Sequence, residues 1–67
     1  MAALKWTDTL EIAILLSEAD PEQDPALLRF TALMAMVQAL PEFDDAPERC
    51  GERILEAIQQ AWIDELE

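Results

Sequence analysis

The side chains present in sufficient number to do chemistry are the carboxylates. Asp44, Asp45 and Glu48 fall within one short connector, and Asp8 and Glu11 stand three positions apart near the start of the chain. Oxygen-only ligation by such groups suits hard divalent ions and tolerates Fe2+. No EF-hand spacing is present, so a cation site built from these five residues would be open, weak and poorly selective. Asp64 and Glu65 could add to it from a neighbouring helix end. A merely solvated acidic face is the simpler use of the same residues, and both readings stand at this level.

A second use is protein recognition. Glu52, Glu56 and Glu67 surround Ile63 on one side of the last helical stretch, and Asp64 and Glu65 follow it. Charges of one sign on a rim speed and orient encounter with a basic partner, and an apolar residue among them adds burial. Catalysis has less to work with. Ser17 has no histidine to activate it, because the chain contains none. Cys50 has only Arg49 and Arg53 nearby to lower its pKa. Gly51 is the single glycine, so no phosphate-cradling loop exists. Paired carboxylates could do acid–base work only in a cleft that separates their pKa values. The expectation is a protein that is not an enzyme.

The bulk composition sets the partners. Lys5, Arg29, Arg49 and Arg53 face 15 acidic residues, for a net charge of −11 over 67 residues. That surface repels phosphate backbones and anionic membranes, so neither nucleic acid nor a membrane is an expected partner. A hydrophobic fraction of 52% suffices for a core despite the charge. One cysteine rules out an internal disulfide framework and a thiolate metal cage. Nothing before Trp6 has the form of a signal peptide, and the apolar run Ile12 to Leu16 is far too short to span a bilayer. The expectation is one small cytoplasmic domain, residues 1–67.

The elements that must position these residues are helical. Positions 52–67 lack Pro and Gly, and Ile54, Leu55, Ile58, Ala61, Trp62 and Leu66 share one face at helical spacing. Asp64, Glu65 and Glu67 crowd its carboxyl end, where the macrodipole favours cations. Asp8 and Glu11 have the spacing of a capping box, with Thr7 as a competing cap, for a helix running to about Ala19. Its core face is Ile12, Leu15, Leu16 and Ala19. Leu10 and Ile14 lie on the flank, either widening that contact or forming an apolar ridge for a partner. Pro21 ends this helix, and Asp24-Pro25 opens a short turn through Leu28. Thr31 is a plausible cap for a helix from Ala32 to Leu40, buried through Leu33, Met36, Val37 and Leu40. Phe43 anchors the acidic connector, with a small extended pairing at Phe43 or at Leu28–Phe30 as an option. Gly51 or Cys50 caps the final helix.

The ordered set Leu4-Lys5-Trp6-Thr7-Asp8, Asp24-Pro25, Arg29-Phe30-Thr31, Phe43-Asp44-Asp45, Glu52-Arg53-Ile54-Leu55-Glu56-Ala57-Ile58 and Trp62-Ile63-Asp64-Glu65 closely resembles the IscX family of bacterial iron–sulfur cluster assembly proteins. The resemblance covers the chain after Ala3. It implies a mainly α, modified winged-helix fold. It implies a small acidic cytoplasmic protein that binds the cysteine desulfurase IscS in competition with frataxin, and contacts with other ISC components such as the scaffold or the ferredoxin. Weak Fe2+ binding by surface carboxylates is implied as well, with no tightly bound cofactor. An iron donor and a generic acidic interaction module are the alternatives.

The chain departs from the family pattern in places. Ala32 and Met34 stand where an Asp and a His are usual, and Ala46 replaces the third Asp after Phe43. Leu10 and Ile14 stand where polar residues are common. These changes weight the expectation toward desulfurase docking over iron donation.

Overall fold

A computed structural model describes residues 3–66. Its elements are α1 (Thr9–Ala19), a 3-10 turn (Pro25–Leu27), α2 (Phe30–Gln38), a second 3-10 turn (Pro47–Arg49) and α3 (Glu52–Leu66). Among the described residues the architecture is mainly helical, with one isolated parallel bridge between Leu4 and Phe43. The extended pairing therefore forms at Phe43 and not at Leu28–Phe30.

The expected α3 supplies one wall of the core. Leu55, Ile58 and Trp62, at spacings of three and four, are buried, and Ile54 and Ala61 pack at the edge. Leu66 continues the stripe but is 50% exposed. Gly51 immediately precedes the helix, and its carbonyl accepts from the amides of Ile54 and Leu55, both at 3.1 Å.

The opposing wall is α1, the helix with which α3 has its most extensive contact. Its end near Ala19 is as expected, but its buried face is Ile12, Ala13 and Leu16. Leu15 sits at the edge, and Ala19 is exposed. The contact stripe is thus rotated toward Ala13. The capping box does not form. Asp8 turns back along the chain: its Oδ2 accepts the Lys5 amide at 2.9 Å, and its own amide donates to the Lys5 carbonyl at 2.9 Å. A closed turn from Lys5 to Asp8 replaces the side-chain cap on Glu11.

α2 starts two residues earlier than the Thr31 cap predicts. The Leu33 amide donates to the Arg29 carbonyl at 2.9 Å, which makes Phe30 the first helical residue. Leu33 and Val37 are fully buried, while Met34, Met36 and Leu40 pack against the core from its margin. Near Pro41 the last turn tightens, with the Ala39 amide shared between the carbonyls of Ala35 and Met36. The first 3-10 turn is fixed twice. Asp24 Oδ1 accepts the Ala26 amide at 3.0 Å, as an Asp before Pro should, and Gln59 Nε2 reaches across from α3 to the Pro25 carbonyl at 2.8 Å.

Two tryptophans occupy the core, at 1% exposure for Trp6 and 0% for Trp62. Their indole N–H groups fare differently. Trp6 Nε1 donates to the Ala46 carbonyl at 2.7 Å, whereas Trp62 Nε1 is buried without a partner. A buried unpaired donor keeps its full desolvation penalty, and replacement by an apolar ring removes that penalty. Substitution by Phe discards similar ring volume at both sites, so the difference isolates the N–H. Trp6→Phe is expected to cost about 1–2 kcal/mol more than Trp62→Phe in urea unfolding followed by circular dichroism.

Candidate protein-docking and cation-binding surface

The acidic connector is organised by its contacts with the N-terminal segment, from the far end of the sequence. The Leu4 amide donates to the Glu42 carbonyl and the Asp44 amide donates to the Leu4 carbonyl, each at 2.9 Å. Lys5 Nζ donates to the Asp44 carbonyl. Trp6 packs edge-on against Phe43, with ring centroids 4.6 Å apart and planes at 67°, a geometry aromatic quadrupoles favour. Phe43 is thereby the anchor that its position in the connector suggests.

Asp45 closes this arrangement. One carboxylate oxygen accepts the Trp6 amide at 3.1 Å, and the other accepts the Ala46 amide at 2.8 Å. Arg49 Nη1 lies 3.7 Å from the same group, which is only 8% exposed. The Trp6 amide bond, followed by the Ala46 amide and the Arg49 and Lys5 charges, holds the Asp45 pKa below its ordinary 3.8 against the opposing effect of burial.

This geometry redistributes the five candidate cation ligands. Asp45 is occupied as a structural acceptor, and Asp8 has one oxygen on the Lys5 amide. Asp44 and Glu48 are exposed in the connector and Glu11 is exposed on α1. Among the described residues, no three acidic or cysteine side chains converge to hold a metal ion. The expected convergence of Asp44, Asp45 and Glu48 is undone by the inward turn of Asp45.

The α3 candidates lie differently. Glu52, Glu56, Asp64 and Glu65 are all exposed, and Ile63 is half-buried. Gln60 Nε2 donates to Asp64 Oδ1 at 3.1 Å, one turn away. Glu67 lies outside the described residues. Of the apolar flank on α1, Leu10 is 58% exposed, while Ile14 is half-buried. Leu27, which the sequence does not single out as a surface residue, is 80% exposed on the first 3-10 turn. Cys50 is no activated nucleophile. Burial raises its thiol pKa, and Arg49 and Arg53 do not offset this, so it is less of a nucleophile than a free cysteine.

The profile of the iron–sulphur cluster assembly family matches residues 4–67. The chain belongs to this family. The match bears out the resemblance to IscX proteins and assigns this member to iron–sulfur cluster assembly. The chain is also 59% identical over 63 residues to an uncharacterized protein of Pseudomonas aeruginosa, covering 94% of this chain and 96% of the relative. The family segments around Trp6 and Phe43-Asp44-Asp45 thereby acquire a physical meaning in this member, because they are each other's contact partners. No helix among the described residues is long and apolar enough to cross a membrane.

Asp45 gives this surface a pH signature. A carboxyl whose folded pKa lies below its unfolded value stabilises fully above about pH 4, near the ordinary 3.8, and loses that contribution as pH falls through the folded value. Asp45→Asn is therefore expected to lower the thermal midpoint at pH 7. The gap to the unsubstituted protein should close on acidification below pH 4, measured by scanning calorimetry across that range.

Proposed function

We propose that this protein is an accessory factor of iron–sulfur cluster assembly that docks, as an acidic adaptor or regulator, on a basic surface of the cysteine desulfurase IscS. It competes there with frataxin and performs no catalysis. The observation that carries this reading is the row of exposed carboxylates on α3 in a member of the cluster assembly family. Glu52 and Glu56 stand one turn apart on an exposed face, and Asp64 and Glu65 extend the negative charge to the helix end, where the macrodipole adds to it. The acidic field is also uneven. α1, the connector and α3 carry carboxylates, while α2, with the sequence FTALMAMVQ, has no charged residue. Concentrated charge of one sign orients a complementary partner more strongly than a uniform shell does.

Iron enters this reading as cargo held loosely at exposed carboxylates such as Asp44 and Glu48, not as a resident cofactor. We read the three helices and the short parallel pairing as a modified winged helix in which net charge turns the surface from phosphate to protein. Docking of this kind takes place in the cytoplasm.

Reversing Glu52 and Glu56 together to Lys is expected to weaken desulfurase binding by at least about tenfold, since like charges replace attraction at the contact. Isothermal titration against the purified desulfurase measures it. Affinity of the unsubstituted protein should fall steeply as salt rises from roughly 50 to 300 mM. Equal affinity for the two proteins would remove α3 from the interface.

A further inference from the structure

The few cationic side chains of this acidic chain are not scattered. Lys5 and Arg49 line one pocket, together with Trp6, Thr7, Asp45 and Ile54. It lies where the N-terminal segment, the second 3-10 turn and the first turn of α3 meet. Its volume of roughly 360 Å3 falls near the lower end of small-ligand pockets, about 300–1,000 Å3. Its donors are largely unfilled. Arg49 Nη1 stands 3.7 Å from Asp45, beyond hydrogen-bond length, and the Arg49 side chain is 73% exposed. Lys5 Nζ donates to the Asp44 carbonyl and keeps further protons to give. Asp45 is the single anion of the lining, and each of its oxygens already accepts an amide. Both cations lower its pKa, so their fields meet at this place.

We propose that this pocket takes the C-terminal carboxylate of a partner chain whose last residue is apolar. Two cations against one carboxylate leave the lining with a single positive charge. A monoanion is matched by that charge. A phosphate dianion would leave a charge uncompensated next to apolar walls, where desolvation is costly. The guanidinium of Arg49 pairs with a planar carboxylate through parallel N–H donors, and Lys5 and the exposed Thr7 hydroxyl can satisfy its remaining lone pairs. Ile54, half-buried at the pocket wall, calls for an apolar group held beside the carboxylate. A chain terminus ending in Leu supplies both on one Cα. A Glu or Asp side chain presents its carboxylate at the tip, with no branch to cover Ile54. Salt screens the acids elsewhere on the molecule over about 8 Å at physiological strength, whereas a direct pair inside the pocket is screened far less. This contact uses charge opposite in sign to the α3 surface and goes beyond the docking reading.

The test is titration of the isotopically labelled full chain at pH 7 and roughly 150 mM salt with acetyl-Gly-Gly-Leu as the free acid, followed by amide and indole NMR shifts. Shifts are expected to concentrate on Trp6, Thr7, Arg49 and Ile54. The same peptide as its C-terminal amide should leave those signals in place. Acetyl-Gly-Glu-Gly-amide and inorganic phosphate should each give an initial slope of shift against concentration at least about threefold smaller. Arg49→Gln and, separately, Lys5→Gln should lower the slope for the free acid about threefold, as loss of one exposed ionic contact implies. Arg29→Gln removes the same charge outside the pocket and should leave the slope unchanged. No shifts at millimolar peptide, an equal response to the amide, to the Glu peptide or to phosphate, or an equal loss in Arg29→Gln would overturn the proposal. So would a slope indifferent to both pocket changes. The comparison of peptides on the unsubstituted chain decides the matter even where a variant disturbs the pocket. Neither the desulfurase nor the α3 carboxylates enter this experiment, so the two readings can fail independently.

Discussion

The structure depends on a carboxylate used as a backbone acceptor. Asp45 satisfies the amides of Trp6 and Ala46 at once, and Phe43, two residues before it, makes both the Leu4–Phe43 pairing and the Trp6–Phe43 ring contact. Without that group, the Trp6 amide would need another acceptor in a part-buried place, and the indole would lose part of what fixes its position over the core. A protein with so many carboxylates can spend one in this way because a charge that accepts several hydrogen bonds tolerates low exposure. The remaining acids are then free to face solvent. Structural and surface roles are thus divided between neighbouring aspartates, Asp45 inward and Asp44 outward.

Helix positions were readable because they rest on local periodicity. The terminal helix has an apolar stripe, the prolines at 21, 25, 41 and 47 punctuate the chain, and the Asp24-Pro25 cap is a short-range signal. Where local signals competed, the sequence was ambiguous. Asp8 could serve the helix ahead of it or the turn behind it, and packing of the N-terminal segment selected the turn. Thr31 is a good cap by type, but extended backbone at Arg29 let the helix begin earlier. The core face of α1 takes in Ala13 and leaves Leu15 at its edge, a choice that packing makes and that the apolar run Ile12 to Leu16 does not reveal by itself.

The candidate site was legible only in part, for a related reason. Exposure of Glu52 and Glu56 follows from the helical pattern alone. The role of Asp45 does not, because its main partner is 39 residues away and no spacing rule connects them. What separates Asp45 from Asp44 is direction, and direction along an irregular connector is set by tertiary contacts. The resemblance to the cluster assembly family includes both segments, yet their contact arises only in the folded chain.

The bridge between Leu4 and Phe43 has a consequence for how this chain can vary. It ties off a ring that contains α1, the first 3-10 turn and α2, with α3 lying outside it. The entropic toll of closing such a ring grows only with the logarithm of its contour, by roughly 0.6 kcal/mol for each doubling. Extra residues spliced between α1 and the Asp24-Pro25 turn would therefore be absorbed with little penalty, whereas a shift of a single residue beside Trp6 or Asp45 would misalign the knot. Length is cheap in one part of this molecule, and register is what the other part guards.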